Sequence, residues 1–392
     1  MGKVLLASCT VVMIMLVFFT ESSSAAYNVV SYGAKGDGKK DSTAAFLRAW
    51  SVACGSRNQA TIYVPRGTFL IRNVVFGGPC KSRIVLQIDG SIVAPTSYWD
   101  LGNSGNWILF NKVSRIKIYG GSFDARGAGY WACRRSGKKC PAGARSISFN
   151  WSNNVLISGV TSINSQKMHI SLNHCTNFLI RNVKIRAPSN SPNTDGIHMQ
   201  ASSGITVTGG SIATGDDCIS IGQGSTNTWI ERLNCGPGHG ISIGSLGDFT
   251  NEEGVENVTV SGVGFTKAEN GVRIKSWGRT SNGYARNINF RNLIMNNVNN
   301  PIIIDQNYCP SSSGCPRQSS GVKISGITYK NIKGISATQI AIKFDCSPTD
   351  PCTGIRLQDI NLRYLGKSRS AISYCKNAHG RSSGVVLPKS CF

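Results

Sequence analysis

One hydrophobic pattern recurs along most of this chain. An aliphatic residue, any residue, a second aliphatic and another variable position are followed by Gly, Asn or another polar residue, then a further apolar one. Counting the second aliphatic each time, it falls at Ile118, Ile157, Ile180, Val207, Ile230, Val260, Phe290, Ile324 and Leu357. After the first long gap the spacings run from 23 to 34 residues. Short strands, polar outside and returning every twenty-odd residues, predict the coils of a solenoid. The fold class expected is all-β, a right-handed parallel β-helix. Leucine-rich repeats lack their leucine signature here, and propeller blades would be longer. An asparagine precedes the first aliphatic at Asn154, Asn177, Asn227, Asn257 and Asn287; stacked at turns, these would satisfy backbone groups and carry no chemistry. Before the coils, Asp41 to Cys54 has a different period. Ala45, Phe46, Ala49, Trp50 and Ala53 recur at helical spacing and Ser42 offers a cap, which predicts an N-terminal helix closing the open end of the stack. Residues 61–64, 69–71 and 84–88 read as strands.

A second series of short β-type runs carries polar clusters. Asn193-Thr194-Asp195-Gly196 precedes Ile197-His198-Met199. Gly215-Asp216-Asp217-Cys218 precedes Ile219-Ser220-Ile221. Gly238-His239-Gly240 precedes Ile241-Ser242-Ile243, and Arg273-Ile274-Lys275 follows at Val272. Aligned on their first aliphatic, the runs put Asp195, Asp217, His239 and Asn270 in one column, at steps of 22, 22 and 31 residues. Neighbouring coils lie about 4.8 Å apart, so Asp195 and Asp217 become direct neighbours with His239 one rung on. A regular strand would point Asp216 away from Asp217; Gly215 permits a bend that returns it to the same cleft. Three carboxylates within two rungs repel one another, which marks a site. His198, Ser220 and Ser242 read as floor. Gly222 and Gly244 leave a trough, and Arg273 and Lys275 set positive charge at its edge, which suits an anionic substrate.

Charge and cysteines narrow the setting. The 392 residues carry a formal net charge of +23, which calls for a polyanionic partner. Without an interleaved basic and aromatic motif, nucleic acid is set aside in favour of acidic polysaccharide. Lys3, an apolar run from Val4 to Phe19 and the small residues Ser24-Ala25-Ala26 read as a signal peptide over residues 1–26. The chain from Tyr27 to Phe392 is then a single domain, secreted to the extracellular space or cell wall, with no membrane span left after cleavage. Fourteen cysteines fit an oxidising compartment. Cys9 leaves with the signal. Local pairing suggests Cys54–Cys80, Cys133–Cys140, Cys218–Cys235, Cys309–Cys315, Cys346–Cys352 and Cys375–Cys391, with Cys175 left as a buried thiol. Sequons at Asn150 and Asn257 permit glycosylation. Between Cys133 and Cys140 the run Arg134-Arg135-Ser136-Gly137-Lys138-Lys139 reads either as a basic loop beside the trough or as a solvated one. A solenoid capped at its ends is expected to be a monomer.

Two or three acidic residues facing one groove are what glycoside hydrolysis requires: one carboxyl protonates the leaving oxygen, another activates water or attacks. Neighbouring carboxylates raise one another's pKa and keep one protonated. Taken together, in this order and spacing, the four clusters Asn193-Thr194-Asp195, Gly215-Asp216-Asp217, Gly238-His239-Gly240 and Arg273-Ile274-Lys275 resemble the polygalacturonases of glycoside hydrolase family 28. The resemblance extends to Ser31-Tyr32-Gly33-Ala34 and the paired late cysteines. It implies hydrolysis of α-1,4-galacturonan with inversion, without metal or other cofactor. Inversion sets the acid and base carboxyls roughly 6.5–9.5 Å apart. Carried over by motif, Asp216 is the general acid, and Asp195 and Asp217 hold and activate water. His239 bonds near the acid; Arg273, Lys275, Tyr308 and Asn193 bind substrate. Ile243-Gly244-Ser245-Leu246-Gly247 with Asn251-Glu252-Glu253, and the run Ser336 to Cys346, resemble the plant pollen-type exo-acting members, with an endo-acting enzyme as the alternative. A pectate lyase on the same polymer, or a wall-binding protein without catalysis, remain as rivals.

Overall fold

The computed structural model describes residues 25–310, 314–366 and 370–392. Residues 1–24, which hold most of the expected signal peptide, lie outside the described residues. The chain winds as a right-handed parallel β-helix. Among the described residues, an eighteen-stranded and an eleven-stranded sheet run the length of the stack, and each strand pairs in parallel with its counterpart one coil on.

The aliphatic columns explain why the coils stack. In the eleven-stranded sheet Ile147, Ile170, Ile197, Ile219, Ile241, Val272, Ile302 and Ile342 stand in register, all of them buried. Each such side chain contributes roughly 1.5–3 kcal/mol of burial. On the long sheet the register runs Ile118, Ile157, Ile180, Val207, Ile230, Val260, Phe290, Tyr329 and Leu357. Tyr329, not Ile324, fills the eighth place; Ile324 pairs with Ala285 earlier in the same strand. The pattern misleads there because the column turns aromatic: Tyr329 stacks on Phe290 at 5.2 Å.

The asparagine column forms a ladder. Asn154, Asn177, Asn227, Asn257 and Asn287 all have φ between 52° and 57°, the left-handed region that asparagine tolerates better than most residues. Asn177 Nδ2 donates to Asn154 Oδ1, Asn257 to Asn227 and Asn287 to Asn257. Gly204 holds the intervening place with φ +67°, and there Asn227 donates to Ser203 Oγ instead.

Both ends are closed. Helix α1 spans Thr43–Gly55 and buries Ala45, Phe46, Ala49, Trp50 and Ala53. Trp50 packs on Phe76 and Phe110, and Phe110 stacks on Phe149, so the helix seals an aromatic column. Ser42 makes no side-chain cap bond; its hydroxyl accepts from the Lys35 amide. The first-turn amide of Thr43 bonds to Asp41 Oδ1 instead, because Asp41 ends a strand rather than opening the helix. At the far end Phe392 stacks on Phe344. A second helix, α2 (Ala128–Arg135), follows the long-sheet strand Ser114–Asp124 in the chain and precedes the strand Arg145–Asn150 of the eleven-stranded sheet.

Disulfides join Cys54–Cys80, Cys133–Cys140, Cys218–Cys235, Cys309–Cys315, Cys346–Cys352 and Cys375–Cys391, and Cys175 is a buried thiol. Among the described residues no helix is long and apolar enough to cross a membrane.

Candidate active site

The register of the eleven-stranded sheet builds the site. Ile197 pairs with Ile219, Ile219 with Ile241 and Ile241 with Val272. The residues two positions earlier, Asp195, Asp217, His239 and Asn270, therefore occupy successive rungs. The Gly196 amide donates to Asp217 O and the Cys218 amide to Gly240 O, which ties the loops as closely as the strands. A bend at Gly215–Asp216 turns the Asp216 carboxylate toward the same cleft. Gly215 is required there because a Cβ would run into the carbonyl of Ser191, while its amide donates to Thr194 Oγ1.

Asp217 is the hub. Its Oδ1 accepts from Ser242 Oγ at 2.7 Å and from Arg273 at 3.0 Å, and its Oδ2 accepts from Lys275 Nζ at 2.8 Å. All three charged side chains are buried, Asp217 being 1% exposed. Burial alone would push the Lys275 ammonium down, but the Asp217 carboxylate outweighs it and holds the pKa above the ordinary value. Asp195 repeats the pattern one rung back without the cations. Ser220 Oγ donates to its Oδ2 at 2.6 Å, and His198 Nδ1 lies 2.8 Å from that hydroxyl. Burial, then the charges of Asp216 and Asp217, push Asp195 up to about 7.

Asp216 has a different environment. Its Oδ1 accepts from the Asp217 amide and lies 3.1 Å from His239 Nδ1; Asn193 Nδ2 stands 3.5 Å from Oδ2. Burial works to raise its pKa, but the His239 bond and nearby cations win and hold it below the usual carboxylate range. His239 is raised in return by the Asp216 bond, against the pull of burial. In the free site Asp195 is thus the carboxyl most inclined to hold a proton, while the proton of the Asp216–His239 pair lies in the bond between them.

Tyr308 lies at the edge of the cation pair. The Lys275 ammonium is 5.1 Å and the Arg273 guanidinium 5.7 Å from its ring centroid, and Trp277 meets it edge-on. The segment after Ile243 gathers on the Glu252 carboxylate, which accepts from the amides of Gly247, Asp248 and Phe249. It borders a cleft of about 250 Å³ with His198, Gln200, Gly222 and Gly244 at its floor.

Three residues here escaped the reading of the sequence. Ser220 and Ser242, taken as floor, are the hydrogen-bond donors to Asp195 and Asp217; both stand 25 residues after their aspartate, a repeat that could have revealed them. Glu269 Oε2 lies 3.4 Å from His239 Nε2. It precedes Asn270 in the column as Asp216 precedes Asp217, so the same alignment points to it.

Asp216, Asp217 and His239 bring potential metal-ligating atoms within 4.8 Å of one another, so carboxylate oxygens of Asp216 and Asp217 stand nearer than the roughly 6.5–9.5 Å expected of an inverting pair, because the two residues are adjacent in the chain. Both Asp217 oxygens already face cations, so a divalent ion would have to compete with Arg273 and Lys275 for that carboxylate.

The chain compares with known proteins as this site suggests. The model of glycosyl hydrolases family 28 matches residues 54–385. A polygalacturonase of Prunus persica is 52% identical over 98% of each chain, and an exopolygalacturonase of Platanus acerifolia is 41% identical over 94% of this chain and 98% of its own. The solved endo-xylogalacturonan hydrolase of Aspergillus tubingensis superposes with a TM-score of 0.79 over 92% of this chain and 100% of that one, at 22% identity, a likeness of fold. By its fold, its four polar clusters and these matches, the chain belongs to the glycosyl hydrolases of family 28.

Proposed function

We propose that this protein is a secreted polygalacturonase that hydrolyses α-1,4-galacturonosyl bonds with inversion and acts from the chain end, releasing galacturonic acid. The observation that carries the reading is the hub at Asp217, where two buried cations and a serine fix one carboxylate between Asp195 and the Asp216–His239 pair. Relatives named as polygalacturonase and exopolygalacturonase support the substrate and the exo mode.

Asp216, with the proton it shares with His239, is the acid that protonates the glycosidic oxygen as the bond breaks. Water held between Asp195 and Asp217 attacks the anomeric carbon from the opposite face, and its proton passes to the carboxylate side of the pair. One proton leaves Asp216 and one is gained by the base, so the balance closes. Asp195 lies one rung before Asp217 and His239 one rung after. The sugar that receives water therefore sits toward the earlier rungs, and the leaving sugar toward His239, Arg273 and Lys275. The two cations draw in the leaving residue's carboxylate, with Tyr308 and Asn193 flanking it.

Secretion rests on residues 1–26. The strand Ala25–Asn28 pairs with Ala60–Val64; cleavage before Tyr27 retains two of its four pairs. Glycans at Asn150 and Asn257 fit the same route. On Asn257 a glycan would leave one Nδ2 hydrogen, enough for the ladder bond to Asn227.

The test is incubation with de-esterified polygalacturonan and a chelator, following reducing ends and separating early products. Galacturonic acid alone is expected. An early ladder of oligomers would reverse the mode. An unsaturated product absorbing in the ultraviolet would replace hydrolysis by elimination, and no reducing ends at all would leave a wall-binding protein.

A further inference from the structure

The part of the groove before Asp195 carries charge that nothing in the fold uses. Arg145 stands two residues before Ile147, and Ile147, Ile170 and Ile197 are in register, so Arg145 occupies the Asp195 column two rungs earlier. Lys167, three residues before Ile170, lies in the column of Asp216, also two rungs earlier. Each offset is roughly 9–10 Å along the stack, within reach of one sugar between them and the catalytic rungs. Arg134, on the last turn of α2, is the third member: burial, Arg145 and Arg134 together push the Lys167 ammonium below its ordinary value.

Among the described residues none of the three side chains has a hydrogen-bond or ion-pair partner, and Arg145 Nε is buried without one. Elsewhere along the groove the half-buried and buried cations do have partners: Arg273 and Lys275 hold Asp217, and His239 lies between Asp216 and Glu269. Like charges gathered and partly dehydrated without a counter-ion destabilise the fold unless an anion joins them.

α2 fixes where this cluster lies. It is inserted in the loop position that carries Asp216 and Glu269 on later rungs. It is pinned to the Lys167 rung by Gly127 N donating to Asn164 O and by Trp131 Nε1 donating to Gln166 O at 3.3 Å. The loop after it is closed by Cys133–Cys140 and by the Tyr130 hydroxyl donating to Ala142 O. The cations thus stand at the foot of a wall at the early end of the groove.

We propose that Lys167 and Arg145, with Arg134 behind them, bind the carboxylate of the terminal, non-reducing galacturonate, so that the chain end is recognised by its charge against the α2 wall. This rests on the proposed polygalacturonase activity and its direction along the groove. It names the residues that hold the terminus.

The test compares Lys167→Met and Arg145→Gln with wild type on two trimers: trigalacturonate, and the same trimer methyl-esterified only at its non-reducing residue. On the acid trimer each variant should raise KM about tenfold, the loss of one charge-assisted hydrogen bond, with kcat within a factor of about three. On the esterified trimer, already weak for wild type, the variants should match wild type. Unchanged KM, or equal losses on both trimers, would overturn the assignment. Calorimetric titration with galacturonic acid, which has no glycosidic bond to cleave, gives a readout without turnover. Binding that weakens in both variants upholds the anion site even if wild type hydrolyses neither trimer, which would sink the activity alone; no binding by wild type would sink both.

Discussion

Two columns of polar residues run up this solenoid, and they are built on opposite rules. The asparagine ladder of the long sheet repeats one residue. Asn227, Asn257 and Asn287 share a φ near 55°, and Asn257 and Asn287 each donate to the copy before them. The column of the eleven-stranded sheet changes residue at nearly every rung: Asp195, Asp217, His239 and Asn270. Beneath that change the scaffold still repeats, since Ser220 serves Asp195 as Ser242 serves Asp217. What differs is the environment. One aspartate takes two buried cations, while its copy takes none and is pushed toward its protonated form. A polar residue repeated unchanged solves the same backbone problem on each coil; one that changes while its support stays fixed is divided into chemical roles.

The largest effect should follow from the hub. Asp217→Asn would leave Arg273 and Lys275 buried without a counter-charge. Hydrolysis should fall about 10³-fold or more, and stability by about 3–5 kcal/mol in urea titration. A variant with wild-type stability would mean that the cations do not depend on Asp217. The ladder should answer differently. Asn257→Ala loses the ladder bonds and puts in the left-handed region a residue that tolerates it less well than asparagine, for about 2 kcal/mol of stability, with activity on polygalacturonan unchanged. Asn257→Gly keeps the backbone freedom and should cost about half as much or less. Equal losses in the two variants would assign the column to its side-chain bonds alone.

The same contrast explains what could be read from the sequence. Columns are legible because coils repeat, so the β-helix, the capping face of α1 and the alignment of Asp195, Asp217 and His239 follow from counting. Tyr329 was missed where the coil lengthened and the column exchanged an aliphatic for an aromatic. Ser220 and Ser242 were visible as small residues, but not as donors, because a strand pattern gives the face a side chain takes and not the partner it meets one rung away. The proton's location was not legible either. Three adjacent carboxylates announce that one is raised toward protonation, but only burial and the His239 bond decide that Asp195 is raised and Asp216 lowered.

That assignment has a pH signature. Asp195 is raised in the fold from an ordinary value of 3.8 to about 7, so its protonated form is the one the fold tolerates. The stability it contributes is fully present below its unfolded pKa and is lost as pH rises through the folded value. Asp195→Asn removes this dependence. Relative to wild type, the variant's melting temperature should rise between about pH 4 and 7 and level off above. A constant difference across that window would place the proton elsewhere.

The smallest effect tests the edge of the column. Glu269 is half exposed and 3.4 Å from His239 Nε2, while Asp216 holds the Nδ1 side at 3.1 Å. His239 is raised chiefly by the Asp216 bond, with Glu269 adding to it through its charge. The alkaline limb of kcat/KM should follow loss of the proton shared by Asp216 and His239. Glu269→Gln removes a negative charge from the outer nitrogen and lets His239 release its proton at lower pH. The limb should therefore move toward acid by roughly a few tenths of a pH unit, since a half-exposed pair is weakly coupled, and the shift should shrink as salt is added. Asp216 stays in place throughout, so a limb that moves toward alkali, or ignores both the substitution and the salt, would remove Glu269 from the proton's control and leave the Asp216 bond as its sole setting.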